Sequence, residues 1–221
     1  MSVALLENDT LLCEQTLATG LTHSETLLPT VDAVLKAAGK TCADIDLFGV
    51  CAGPGSFTGL RIGLCAVKGL AFPANTPCAA VSTLEALAWN HVGTGTVVAA
   101  QDARRGEVYW AAFDLATHQR ITPDAASPVE KIRALAKTCP KPLLFVGDGA
   151  YLCESAFSAV PGVLPCPAAL RAARAAGVCL AAKAMAERGE TCPPAALLPS
   201  YHRLSQAERQ RAERLAQTTE G

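Results

Sequence analysis

The sequence predicts an α/β protein, and three observations carry that expectation. Short apolar runs bounded by turn residues alternate with longer stretches of helical period, the pattern of strands exchanging with helices. Half of the 221 residues are apolar and 18% are charged, which suffices for a buried core. Both halves hold a short apolar run that ends in a glycine turn, LFGVCAGPGS and LLFVGDGA, which points to two related lobes.

Taken in order, residues 2–6 read as a strand, 7–10 as a turn and 11–18 as a second strand, together a hairpin. Leu27, Leu28, Val31, Val34, Leu35 and Ala38 fall on one helical stripe. A helix is therefore expected over 27–38, with Pro29 in its first turn and Gly39 at its end. Residues 47–52 form a short apolar strand. A glycine loop at 53–56 then leads into a helix over 57–72, stopped by Pro73 and Pro77. The run 81–89 reads as a helix capped by Ser82. After the Gly- and Thr-rich stretch 90–96, strands are expected over 97–100 and 107–115. Ser127 and Glu130 have capping-box spacing, so a helix is expected to open there. Residues 143–146 read as a strand, 168–188 as an alanine-rich helix, and 205–217 as a solvated helix or tail.

Composition removes several classes. Nineteen Lys and Arg against twenty Asp and Glu leave a net charge of −1, which disfavours nucleic-acid binding through overall charge. No apolar run is long enough for a membrane helix, and no basic region or cleavage site marks a secretory signal at the start. The ten cysteines include no Cys-x-x-Cys pair, which disfavours a zinc ribbon or a thioredoxin motif. Several, such as Cys51, Cys65 and Cys179, sit in apolar stretches where Cys acts as a small hydrophobe. The expectation is a reducing cytoplasm and free thiols.

The richest stretch is 53–63, Gly-Pro-Gly-Ser-Phe-Thr-Gly-Leu-Arg-Ile-Gly. Gly53, Gly55, Ser56 and Gly59 could present backbone N–H groups to a phosphate at a helix start. The loop is neither a Walker A loop nor a dinucleotide fingerprint, and a tight turn that seats the helix on its sheet explains it as well. In the helix that follows, Leu60, Leu64, Val67 and Ala71 cover one side, and Ile62, Cys65, Ala66 and Gly69 much of another. Arg61 and Lys68 leave only a narrow polar stripe. Such a helix is covered twice: by its own sheet, and by either the 27–38 helix or a partner protein.

Catalytic patterns are poor. His23, His91, His118 and His202 make no His-x-x-x-His or His-Glu-x-x-His pattern, and no Gly-x-Ser-x-Gly elbow occurs. Asp102, Glu107, Asp148, Arg104 and Arg105 lie near turns, where such residues are common. Arg203, Arg209, Arg211 and Arg214 make a mildly basic tail, suited to RNA contact or to plain solvation. No catalytic residue, metal site or cofactor is expected.

The 53–63 stretch resembles the signature of the TsaB (YeaZ) family. His23-Ser-Glu-Thr-Leu-Leu-Pro29, Asp102-Ala-Arg-Arg-Gly-Glu-Val-Tyr-Trp-Ala111 and Pro199-Ser-Tyr-His-Arg203 agree with it, in order along the chain. The resemblance implies an actin-like ATPase (ribonuclease H-like) fold of two lobes. The first would comprise 1–95 with a C-terminal segment of about 196–221, the second 96–195. It implies a cytoplasmic, non-catalytic subunit for the threonylcarbamoyl modification of the adenosine beside the tRNA anticodon. The partners would be a TsaD-like catalytic subunit and a TsaE-like ATPase, with a homodimer as another pairing, and tRNA reached only through the complex. Contact with TsaD would use the helices near 26–38 and 57–72, hence Leu28, Val31, Leu35, Arg61, Ile62, Cys65 and Lys68. An older peptidase grouping of the family lacks the histidine pair here. A further strand ending in Asp-Thr-Ser/Thr is expected ahead of the 2–6 strand and does not occur in the sequence, which puts nucleotide binding in doubt. The rival reading is a sugar-kinase-like or nucleotide-hydrolysing enzyme that uses the 53–56 loop.

Overall fold

The computed structural model describes residues 1–18, 22–164 and 166–202, with backbone alone at 136 and 137. The hairpin is β1 (Ser2–Glu7) and β2 (Thr10–Thr16), antiparallel, with Asn8 at φ 55° in its turn. Helix α1 (His23–Ala37) follows. It starts earlier than expected, so Pro29 lies inside it rather than in its first turn. Next come β3 (Phe48–Gly53), α2 (Phe57–Ala71) and β4 (Cys78–Ser82), a right-sized β-α-β unit with β3 and β4 parallel.

The β4 strand corrects the expected helix over 81–89. The apolar run divides at Ser82, which ends the strand and caps α3 (Thr83–Ala88) by accepting the Glu85 N–H at 3.3 Å. Strands β5 (Thr96–Arg104) and β6 (Glu107–Asp114) form the long hairpin. The expected helix at Ser127 is also corrected. Ser127 ends strand β7 (Ala125–Pro128), and its buried hydroxyl accepts from Trp110 Nε1 at 2.8 Å instead of capping. A 3-10 turn and the short α4 (Leu135–Thr138) come after it. Then follow β8 (Leu143–Val146), α5 (Ala150–Phe157) and β9 (Val163–Leu164). The alanine-rich stretch is broken: a 3-10 turn at Ala168–Leu170 precedes α6 (Ala175–Glu187). The 205–217 expectation lies outside the described residues.

Three sheets result: β1-β2, β3-β4, and β7-β6-β5-β8-β9. The five-stranded sheet is apolar on both faces. Val98, Val108, Phe145, Ile132 and Phe157 pack on one side beneath α5. Val97, Ala99, Phe113 and Leu84 pack on the other beneath α3. Helix α3 also packs on α6, and there Gly177 is required, because a Cβ would lie 2.3 Å from the Ala86 carbonyl oxygen. The β3-β4 pair is covered by α2 on one face, where Gly63 meets Val50, and by α6 on the other, where Gly49 meets Ala182. Helix α6 also covers β1, and Glu14 of β2 accepts the Ala176 N–H at 3.0 Å and pairs with Arg174. A carboxylate at a helix N-terminus is favoured by the helix dipole.

Candidate partner-binding surface and glycine loop

The outer stripe of α2 is set by helical spacing. Arg61, Cys65, Lys68 and Phe72 recur at three- and four-residue steps on one side. Arg61 and Cys65 are exposed, Lys68 is half-buried, and Phe72, at the helix end, is 71% exposed. Ile62 turns inward with Ala66 and lines a cavity beneath the helix. On α1, Leu28 is 54% exposed, whereas Val31 and Leu35 are half-buried and line the same cavity. The seven residues thus divide into an outward group (Leu28, Arg61, Cys65, Lys68) and an inward group (Val31, Leu35, Ile62).

The narrow polar stripe has a local task. The chain returns after α6 and lies beside α2. Cys192 exchanges both backbone hydrogen bonds with Cys78 of β4 (2.8 and 2.9 Å), and Lys68 Nζ reaches the Ala195 carbonyl at 3.5 Å. Arg61 Nε donates to the Tyr201 hydroxyl at 3.0 Å. The Arg61 guanidinium sits 4.1 Å from the Phe57 ring centre, and Phe57 stacks on Tyr201 at 4.5 Å. This return segment gave no periodic signal, and only the Pro199–Arg203 stretch pointed to it.

The glycine loop is shaped by the same segment. Gly53 has φ +138°, and a Cβ there would lie 2.1 Å from the Ser200 carbonyl oxygen. The Ser200 N–H donates to Ala52 O at 2.7 Å. Gly53 is buried, Gly55 and Gly59 are half-buried, and Ser56 is exposed. Ser56 caps α2 by accepting the Gly59 N–H at 3.3 Å. These contacts account for the loop's residue types by chain packing, whatever it binds.

The thiols are free. Burial pushes Cys153 up to about 12 and Cys51 and Cys179 up to about 11; a hydrogen bond from Thr83 offsets part of the effect at Cys51. They are protonated at neutral pH and poor nucleophiles. Asp102 takes part in the turn after β5 by accepting the Arg104 N–H at 2.6 Å, and Asp148 accepts the Asp102 N–H at 3.0 Å. Among the described residues no three His, Cys, Asp or Glu side chains gather closely enough to hold a metal ion. No described helix is long and apolar enough to cross a membrane.

Comparison with known proteins gives consistent results. A family model, TsaD: tRNA N6-adenosine threonylcarbamoyltransferase, matches residues 18–211. The tRNA threonylcarbamoyladenosine biosynthesis protein TsaB of Bacillus subtilis is 33% identical over 156 residues, 69% of this chain and 68% of that protein. The TsaB protein of Escherichia coli is 45% identical over 94 residues, so the matched part spans 41% of each chain. A solved structure of YeaZ from Pseudomonas aeruginosa superposes with a TM-score of 0.73 at 30% identity, covering 90% of this chain and 93% of that one. Another, described as similar to the peptidase YeaZ from Pseudomonas aeruginosa, gives a TM-score of 0.78 at 30% identity, covering 91% and 94%. The fold is therefore that of the actin-like, ribonuclease H-like proteins, and the chain belongs to the TsaB (YeaZ) family.

Proposed function

We propose that this chain is a non-catalytic scaffold subunit in the synthesis of threonylcarbamoyladenosine on tRNA. It pairs with a TsaD-like subunit that holds the reactive groups, and a TsaE-like ATPase joins the pair in the cytoplasm. The tRNA is reached only through the complex. The names of the relatives support the pathway. The observation that carries the pairing is the outward face of α1 and α2, where Leu28, Cys65 and Phe72 leave apolar surface in water beside Arg61 and Lys68. Apolar anchors of this kind, rimmed by charge, are where binding energy concentrates.

Co-purification tests this. Leu28→Asp combined with Cys65→Asp, both at exposed positions, should leave the fold intact. The affinity for a TsaD-like subunit should fall by roughly thirtyfold or more, the equivalent of about 2 kcal/mol at a hot spot. Unchanged binding would overturn the assignment. Calorimetry of the isolated chain with ATP and Mg²⁺ addresses the rival reading, since tight binding would favour an enzyme that uses the 53–56 loop.

A further inference from the structure

The β1-β2 and β3-β4 sheets lie between the same helices yet share no ladder. A cavity of about 740 Å³ runs between them, lined by both. Two of its walls are apolar side chains: Leu27, Val31, Leu35 and Ile62 from α1 and α2, and Val178 and Ala182 from α6. The other two walls are strand edges. Met1 and Leu17 exchange both backbone bonds (3.0 and 2.9 Å). By the alternation of an antiparallel ladder, Ser2 and Ala4 then point their N–H and C=O groups away from β2. On β3, Phe48 donates to Pro77 O at 3.0 Å, on the β4 side. Gly49 and Cys51 therefore point theirs away from β4, and all four residues line the cavity. At the glycine-loop end, Gln101 Oε1 is buried and has no hydrogen-bond partner among the described residues.

We propose that this cavity is an acceptor slot for one extended peptide strand supplied by a separate polypeptide. The strand is about six residues long, the length of β1 and of β3. It is apolar on both faces and ends, beside Gln101, in a residue that donates a hydrogen bond. Backbone groups at a buried edge require partners, and an added strand supplies them to both edges at once. A lipid tail or a small apolar ligand would fill the volume but leave both edges unpaired. The chain itself has no spare strand: among the described residues each strand is already in a sheet. The stretch 203–221, RLSQAERQRAERLAQTTEG, is too polar for a slot with apolar walls. The proposal does not use the outer face of α1 and α2, so it stands or falls apart from the pairing above.

The test titrates the 221-residue chain with an acetylated, amidated peptide, Val-Leu-Ala-Ile-Val-Thr, carrying a lysine tag for solubility. Saturable binding, a raised melting temperature and slowed amide exchange confined to Ser2–Glu7 and Phe48–Gly53 are expected. The same peptide N-methylated at alternate backbone nitrogens should bind roughly tenfold more weakly or worse, because it loses ladder bonds. Absence of binding would overturn the proposal. So would equal binding of the methylated peptide, which marks a merely greasy hole, or protection elsewhere in the chain. Sedimentation of the chain alone completes the test: self-association that protects the same amides would make a second copy the occupant and would also overturn it.

Discussion

Arg61 and Tyr201 are 140 positions apart, yet the Arg61 Nε donates to the Tyr201 hydroxyl at 3.0 Å. Phe57 lies against both, beneath the guanidinium and in a stack with the phenol ring. One exposed cation thus fastens the returning chain to α2 by a hydrogen bond and a ring contact.

Removing either end should loosen this attachment. Arg61→Ala and Tyr201→Ala are each expected to lower stability by about 1 kcal/mol. The double variant should cost less than the sum, with a coupling of about 0.5–1 kcal/mol in a denaturant cycle. Strict additivity would show that the two side chains do not act on each other.

Gly53→Ala should be among the harshest substitutions of a small residue. It combines a backbone φ of +138° with a Cβ placed 2.1 Å from the Ser200 carbonyl oxygen, a backbone atom that cannot swing aside. A loss of about 2 kcal/mol or more is expected, read from the urea midpoint.

Ser127→Ala leaves Trp110 Nε1 without the acceptor it has at 2.8 Å. The cost should be about 1–2 kcal/mol, the range for a polar group left unpaired. Tryptophan emission should shift as the indole seeks water, and a silent spectrum with unchanged stability would contradict the contact.

Alkali should weaken the fold before it harms the surface. Cys153 has an ordinary thiol value of 9.0 when unfolded and about 12 when buried. Between those values the unfolded chain has released the proton and the folded chain has kept it. Stability therefore falls as pH rises above 9, by about 1.4 kcal/mol per pH unit for that thiol. The burial of Cys51 and Cys179 acts in the same direction. Melting temperatures from pH 8 to 11 check the sign. Alkylation at pH 8 should reach exposed Cys65 well before Cys153, which is fully buried.

Much of this was legible in the sequence, and the gaps have physical causes. The β1-β2 hairpin, β8 and α2 stood out because turn residues and apolar period agreed. Strand β4 did not, since Cys78-Ala79-Ala80-Val81 runs into α3 with no glycine or proline between, and only Ser82 marks the change. Ser127 had the spacing of a cap, but Trp110, far away in sequence, claims its hydroxyl. The motif at 53–63 was evident, yet a helical wheel shows which residues share a side and not which side meets water. Ile62 and Cys65 looked alike on the wheel, and the structure turns one toward the cavity and leaves the other exposed.

The pairing of Cys78 with Cys192 and of Ala52 with Ser200 also orders the birth of the molecule. The five-stranded sheet draws only on residues 96–164 and is free to condense while synthesis is still under way. The β3-β4 pair emerges earlier but must wait for residues 192–201 before its last edge and the Gly53 bend are closed. The portion translated first is therefore the last to be finished, and during that wait its apolar strands are the ones a chaperone has most reason to hold.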